Sequence, residues 1–449
     1  MKRIAVVHFV GGGGAKRALY EQVRGLLQRG YEISVFSPEP TPNEYLPLTS
    51  LGVPVIYSQT PATDSLALPD GNTAESTARR VFRQLFGQAV FEMVRDSVWV
   101  QRQEQTIQKR LQQYREIGKA VQQFAPDRVL VHQCQTLLAP ETLFDELAGM
   151  GVVFYLQDTL RRACEWGITT EPHFDTTPER FLRQKGLGTV TSPVLAKFRE
   201  QERRRYVAGV RKAGTIGTVL VNSYFSRESL LRTTGVAAQV CYLGIDTAFF
   251  CPAPEIARTD KILSVGALRP EKRHDLIVEA LSHVPEEIRP SLQLIGYEMS
   301  VAGEPGPVTR HLQHQAKERN ISLILESDTT DKALLHAYQT AKMMVFAPYL
   351  EPFGLTPLEA MACQTPVVGI AEGGLRETIR HGETGLLADP TPTDLGNAIT
   401  HLLQHPMERE RLAEQAYTAV CQNWSVEAAN DRLETVLCRE SPGYRGGTR

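Results

Sequence analysis

Short, continuous apolar runs that end in glycine or a turn recur along this 449-residue chain, each parted from the next by a helix-length stretch. Residues 3–9 (Arg-Ile-Ala-Val-Val-His-Phe) run directly into Gly11–Gly14, a helical stretch follows through Gly30, and a second run, Glu32-Ile-Ser-Val-Phe36, comes next. A strand that is apolar at nearly every position needs cover on both faces, and strands joined through a helix pair in parallel. Further strands are expected at 53–57, 128–132, 152–156 and 219–222. The rhythm restarts at Lys261-Ile-Leu-Ser-Val265, followed by Gly266, and continues at 291–295, 321–325, 343–347 and 366–370. Between the halves, near 248–258, Cys251-Pro252-Ala253-Pro254 breaks the pattern. The economical expectation is α/β, two Rossmann-like domains side by side.

Composition narrows the partners. With 42% apolar and 22% charged residues and a net charge of −2, nothing in the global charge points to nucleic acid. The seven cysteines are scattered, odd in number and without C-x2-C spacing, which fits reduced thiols better than a zinc site or disulfide framework. The apolar run at Ile4–Val7 is too short for a signal peptide, and no stretch reaches transmembrane length, so a cytoplasmic location is expected.

One region of the first half exceeds the minimal fold. Residues 74–124 read as one or two long helices, with Phe82, Phe86, Val90, Val94 and Val98 at every fourth position. From Arg79 to Lys119 nine basic residues stand against four acidic ones, and a second basic run, Arg203-Arg204-Arg205, precedes the strand at 219. An ordinary surface helix explains this; so does a flap on the acceptor side or a face that touches an anionic membrane.

The segment Glu351-Pro-Phe-Gly-Leu-Thr-Pro-Leu-Glu359 carries two carboxylates eight positions apart. Thr356-Pro357-Leu358-Glu359 reads as a helix start, with Thr356 capping, Pro357 at the first helical position and Glu359 at the third. A helix N-terminus favours anions, and the adjacent carboxylates accept hydrogen bonds from hydroxyls. A ligand with phosphates and many hydroxyls, such as a sugar nucleotide, suits that chemistry. Taken alone, Glu359 is equally a capping-box residue and Glu351 a solvated loop acid.

Other signals are weaker singly. The Gly11–Gly14 loop allows close backbone approach to a phosphate, but the third glycine of a dinucleotide fingerprint would fall on Lys16. His132 closes Asp127-Arg-Val-Leu-Val-His132 at the carboxyl end of a parallel strand, where open α/β sheets bind ligands. The pair Gly373-Gly374 suits either a ligand's approach or a tight turn. No Asp-x-Asp occurs, so no metal is expected.

In sequence order these segments resemble retaining glycosyltransferases of family 4, whose signature is Glu-x7-Glu and whose fold is GT-B. The resemblance spans roughly 4–36 and 127–438 and is densest in the second half. It implies two Rossmann-like domains facing across a cleft: an acceptor domain at 1–250 and a donor domain at 258–425. A helix at 426–440, after Trp424-Ser425, would cross back to the first domain, leaving a flexible tail at 441–449. By resemblance Glu351 contacts the donor sugar, Glu359 the ribose, and the amides of Phe353, Gly354 and Leu355 the sugar or phosphate. Gly13-Gly14-Ala15 matches the family's turn at the cleft, and His132 lies near the donor sugar.

Gly266 and Lys272 match a Gly-then-Lys pattern in which the lysine meets the leaving diphosphate. The family's arginine after that glycine is Ala267 here, and Arg269 is the candidate substitute. Breaking a glycosidic bond builds charge on phosphate oxygen, and a cation there lowers the barrier. Asp158 resembles an acceptor-side acid. Val221-Asn222-Ser223 and Gly244-Ile245-Asp246 match segments read mainly as turns and caps on the interdomain wall.

The implied activity is transfer of a sugar from a nucleotide-diphosphate sugar to an acceptor hydroxyl of a glycan, lipid-linked or small molecule. Retention at the anomeric carbon is implied, with no cofactor and no metal. The alternatives are a non-catalytic sugar-nucleotide-binding or scaffold protein, and a phosphorylase or epimerase of the same fold. Peripheral contact with the inner membrane face, through the basic 79–119 helix, is the alternative to a purely cytoplasmic life.

Overall fold

The computed structural model describes residues 2–10, 12–40, 45–60, 88–133, 141–158, 193–298, 305–327 and 329–439. Two parallel sheets dominate. The first has the strands β1 (Arg3–His8), β2 (Glu32–Ser37), β3 (Val55–Tyr57), β4 (Arg128–Gln133), β5 (Val152–Leu156), β6 (Gly217–Val221) and β7 (Gln239–Val240). Their spatial order is β3-β2-β1-β4-β5-β6-β7, parallel throughout. The second sheet comprises β8 (Lys261–Val265), β9 (Ser291–Ile295), β10 (Leu323–Glu326), β11 (Met343–Phe346), β12 (Val367–Ile370) and β13 (Leu386–Ala388), in the order β10-β9-β8-β11-β12-β13.

Helices cover both faces. On the first sheet these are α1 (Gly13–Gln28), α2 (Gln88–Phe124), α3 (Glu141–Glu146), α4 (Pro193–Ile216) and α5 (Tyr224–Thr234). On the second they are α6 (His274–Ser282), α7 (Pro307–Glu318), α8 (Asp331–Thr340), α9 (Leu355–Ala362), α10 (Leu375–Thr378), α11 (Pro392–Gln404) and α12 (Pro406–Asn423), with α13 (Val426–Cys438) closing the described chain.

The two-residue side-chain period of β1 assigns its faces. Ile4 and Val6 join Leu19, Leu26 and Leu433 in one core, whereas Ala5 and Val7 join Tyr114, Ile117 and Val121 of α2 and Val210 of α4 in another. The first core runs without interruption into the second domain through Phe250, Ile262 and Leu263. The expected strand at 321–325 starts two residues later. Asn320 is left-handed (φ 54°) and the Ile321 N–H returns to Ala316 O at 2.9 Å, so Ile321 closes α7 rather than opening β10.

The last helix crosses back onto the first domain. Ile245 N donates to Trp424 O and Val426 N to Ile245 O, both at 2.9 Å, and Ser425 caps α13 by accepting from Ala428 N at 3.2 Å. α13 then lies along α1, where fully buried Leu433 contributes about 2 kcal/mol of apolar burial. Arg128 Nε and Nη2 reach the carbonyls of Leu437 and Arg439 at 3.0 and 2.8 Å, satisfying acceptors at the helix end.

The long α2 buries Ile107, Tyr114, Ile117 and Val121. Of the expected apolar stripe, Val98 is 46% exposed, and Phe82 and Phe86 lie outside the described residues. In the second basic run, Arg203 and Arg204 pair with Glu200 of the same helix at 2.8 and 2.7 Å. Among the described residues no helix is long and apolar enough to cross a membrane. The tail at 441–449 lies outside the described residues.

Candidate active site

In open parallel sheets the crevice beyond the carboxyl ends of the strands, where strand order reverses, is the usual ligand site. In the first sheet this falls between β1 and β4, whose ends pair His8 with His132. In the second it falls between β8 and β11, and Lys272 and Glu351 lie on the loops after those two strands. Lys272 Nζ donates to Glu351 Oε2 at 2.7 Å, with both side chains partly exposed. The two loops are tied by Tyr349 N to Glu271 O at 2.8 Å, and Arg273 binds Glu372 behind them.

Gly266 precedes this loop, and a Cβ there would meet Lys272 Cδ at 3.7 Å. Arg269 is turned elsewhere: its Nη1 lies 4.0 Å from Glu271, and its side chain is 40% exposed. It does not join the Lys272–Glu351 pair in this conformation.

The helix after Glu351 starts earlier than its sequence suggests. α9 begins at Leu355 with Gly354 at the cap (φ 98°), so Thr356 is not the cap and Glu359 is the fifth helical residue. A capping-box role for Glu359 is thereby ruled out. The left-handed turn at Gly354 starts the helix as soon as buried Phe353 is seated, and Pro357, lacking an N–H, is tolerated within the first turn.

Glu359 is buried and accepts the Tyr338 hydroxyl at 2.8 Å. Facing it from the first domain is Arg17 of α1, Nε to Oε1 at 3.7 Å. The same guanidinium binds Asp331 at 2.9 Å and the Tyr45 hydroxyl, and stands 5.3 Å from the Phe250 ring centre. Burial pushes the Glu359 carboxyl upward, partly offset by Arg17 and Tyr338. Burial alone would lower Arg17, but Glu359, Tyr45 and Asp331 outweigh it and hold the cation.

The first domain's glycine turn meets α9 end to end. Gly13 is left-handed (φ 69°), and a Cβ on Gly14 would stand 3.1 Å from Leu355 Cδ1. Two helix N-termini therefore converge at the cleft, a setting that favours an anion between them. Gly11 lies outside the described residues.

His132 is fully buried, and burial lowers its pKa to about 3, so it is neutral. Gln157 Nε2 lies 3.2 Å from His132 Nδ1 and donates to Ala15 O at 3.3 Å. An amide donor on Nδ1 places the ring proton on Nε2, which has no hydrogen-bond partner among the described residues. Asp158 follows Gln157 directly, just past β5 and half-buried.

Gly373 and Gly374 face backbone. A Cβ on Gly373 would run into Glu351 O, and one on Gly374 into Pro352 O, while Gly374 N donates to Glu351 O at 2.8 Å. Their close approach serves the loop that carries Glu351. Phe353 is likewise a core side chain, with ring centres 6.1 Å from Tyr242 and 5.6 Å from Trp424.

The structure thus joins Lys272 with Glu351, seats Glu359 against Arg17, and sets Gly14 against Leu355. Sequence reasoning missed Arg17, Tyr338, Asp331 and Gln157. None sits in a motif; each is recognisable only from the distant residue it meets.

Comparison with known proteins bears on the fold and on the second domain. Residues 252–419 match the family model described as glycosyl transferases group 1. D-inositol 3-phosphate glycosyltransferase of Thermomonospora curvata is 35% identical over 164 residues, 34% of this chain and 37% of that protein. Mannosylfructose-phosphate synthase of Agrobacterium fabrum is 35% identical over 159 residues, 34% of this chain and 33% of that protein. The matched region spans only about a third of the length of these curated relatives. In three dimensions the likeness is broader. Anabaena HepE, solved with UDP and glucose, superposes with a TM-score of 0.64 at 18% identity, over 97% of this chain and 99% of that one. Sucrose-phosphate synthase from Thermosynechococcus elongatus gives 0.66 at 18% identity, over 97% and 98%. The chain has the GT-B fold, and its second domain is similar to glycosyl transferases group 1.

Proposed function

We propose that the protein is a retaining glycosyltransferase of family 4, moving a sugar from a nucleotide-diphosphate sugar to an acceptor hydroxyl. The observation that carries this reading is the Lys272–Glu351 pair at the second sheet's switch point, beside the N-terminus of α9. In the proposed reaction the bond from anomeric carbon to diphosphate oxygen breaks as the acceptor oxygen bonds to the same face and its hydroxyl proton passes to the departing phosphate. Negative charge grows on the departing phosphate, and Lys272 with the two helix N-termini meets it. The charge is met by protein groups, so the proposal needs no metal.

In this reading Glu351 holds donor-sugar hydroxyls, Glu359 those of the ribose, and neutral His132 donates from Nε2 to a sugar oxygen. The amides of Phe353, Gly354 and Leu355 line the same end. Arg269 lies near enough in sequence to swing towards the diphosphate, and Asp158 is assigned to the acceptor side. The donor's class is supported by the UDP and UDP-glucose found in HepE structures. The acceptor is a glycan, a lipid-linked saccharide or a small molecule, met at the cytoplasmic side. A panel of nucleotide sugars screened by thermal shift identifies the donor. Proton NMR of the product then decides stereochemistry: the donor's anomeric configuration supports the proposal, and the inverted one refutes retention.

A further inference from the structure

The backbone that presents Glu351 is gripped from the other domain. Ser223, the N-cap of α5, donates its hydroxyl to Pro352 O at 2.6 Å while accepting from Ser226 N at 3.0 Å. Beside it, the Glu377 carboxylate in α10 accepts the N–H groups of Tyr224 and Phe225, at 2.8 and 2.9 Å, and the Tyr242 hydroxyl at 2.8 Å. The first turn of α5 has no acid of its own, so Glu377 supplies from across the interface the negative charge that a helix N-terminus favours. Between these anchors Gly374 N holds Glu351 O, and Phe353 is packed against Tyr242 and, edge-on, against Trp424. The contact lies where Ile245 pairs with Trp424 and Val426, on the side where the chain crosses between domains.

Deeper in the cleft the first domain meets the second through Arg17, which reaches Glu359 and Asp331. The contacts from Ser223, Tyr224, Phe225 and Tyr242, by contrast, fall on the Pro352 carbonyl or on Glu377 of α10, the short helix whose N-cap residue Gly374 holds Glu351 O. We propose that Ser223 and Glu377 are positioning residues. They lock the Glu351 loop to the first domain and so keep the Glu351 carboxylate opposite Lys272 as substrates enter and leave. The consequence for turnover rests on the reading of Glu351 as the carboxylate on the reacting side.

Two observables separate the lock from that reading. In full-length Glu377→Gln, an amide replaces one acceptor oxygen with a donor facing N–H groups. Hydrogen exchange at the Gly374 amide, which is bonded to Glu351 rather than to Glu377, is expected to quicken about tenfold. Turnover with the donor found by screening is expected to drop about tenfold or more, with its KM within about twofold. Tyr242→Phe keeps the ring packing and loses one bond, so both changes are smaller but of the same sign. Should Glu377→Gln fail to fold, Tyr242→Phe decides by the same measurements. Unchanged Gly374 exchange in a folded variant overturns the lock, as does faster exchange with turnover intact. Faster exchange in a protein whose wild type transfers no sugar retains the lock and removes the glycosyltransferase reading.

Discussion

Lys272 Nζ sits 2.7 Å from Glu351 Oε2, linking the loop after β8 to the loop after β11 at the point where the second sheet changes direction. In the proposed reaction the pair supplies both a cation for the departing phosphate and a carboxylate for sugar hydroxyls. Lys272→Met removes the cation and leaves the acid alone. Turnover is expected to fall about a hundredfold or more, while Lys272→Arg keeps part of it. Steady-state rates of the three proteins check this.

Arg17 and Glu359 meet across the interface, and the arginine shares the region with Asp331 and Tyr45. Arg17→Met leaves a buried carboxylate without its cation and is expected to cost about 3 kcal/mol of stability. Glu359→Gln costs less, because its amide oxygen still accepts from Tyr338. The double variant recovers part of the Arg17→Met loss. Urea denaturation of all four proteins reads the coupling.

Glu21 lies beside Arg24 under the crossover helix, lining a cavity of about 10 Å³ with Gln22 and Asn430. Burial raises its carboxyl from 4.5 to about 7, with Arg24 opposing. A folded pKa above the unfolded one means that its stabilising contribution is whole below 4.5 and fades as pH rises through about 7. The melting temperature of the wild type, compared with Glu21→Gln, is therefore expected to decline across that window. A parallel course for the two proteins rules Glu21 out as the source.

A Cβ at Gly244 would run into Ser425 O, at the bridge that sends α13 back to the first domain. Gly244→Ala is expected to cost about 2 kcal/mol through overpacking. Limited proteolysis should then cut first around α13.

Much of the frame was legible because strands such as β1 and β8, covered on both faces, are written as unbroken apolar runs between glycines. β7 and β13, two and three residues long, carry too little sequence for any periodicity and emerge only from pairing with their neighbours. At the site, Glu351 and Glu359 stood out by spacing, yet Glu359's surroundings did not. Its partners Arg17 and Tyr338 come from another domain and another helix. Thr356-Pro357 is a good local cap, yet α9 starts at Leu355 after Gly354, next to Phe353 in the aromatic cluster. The glycine pair at 373–374 announced a close approach, and the approaching group is the backbone of Glu351 and Pro352.

The most direct test of the site is nucleotide-sugar turnover by Glu351→Gln beside the wild type, with product detected by mass and nucleotide binding followed by calorimetry. The expected result is transfer by the wild type, an about hundredfold or greater loss in the variant, and nucleotide binding within about threefold. Equal turnover in the two proteins would contradict the placement of the reaction at Glu351 and Lys272.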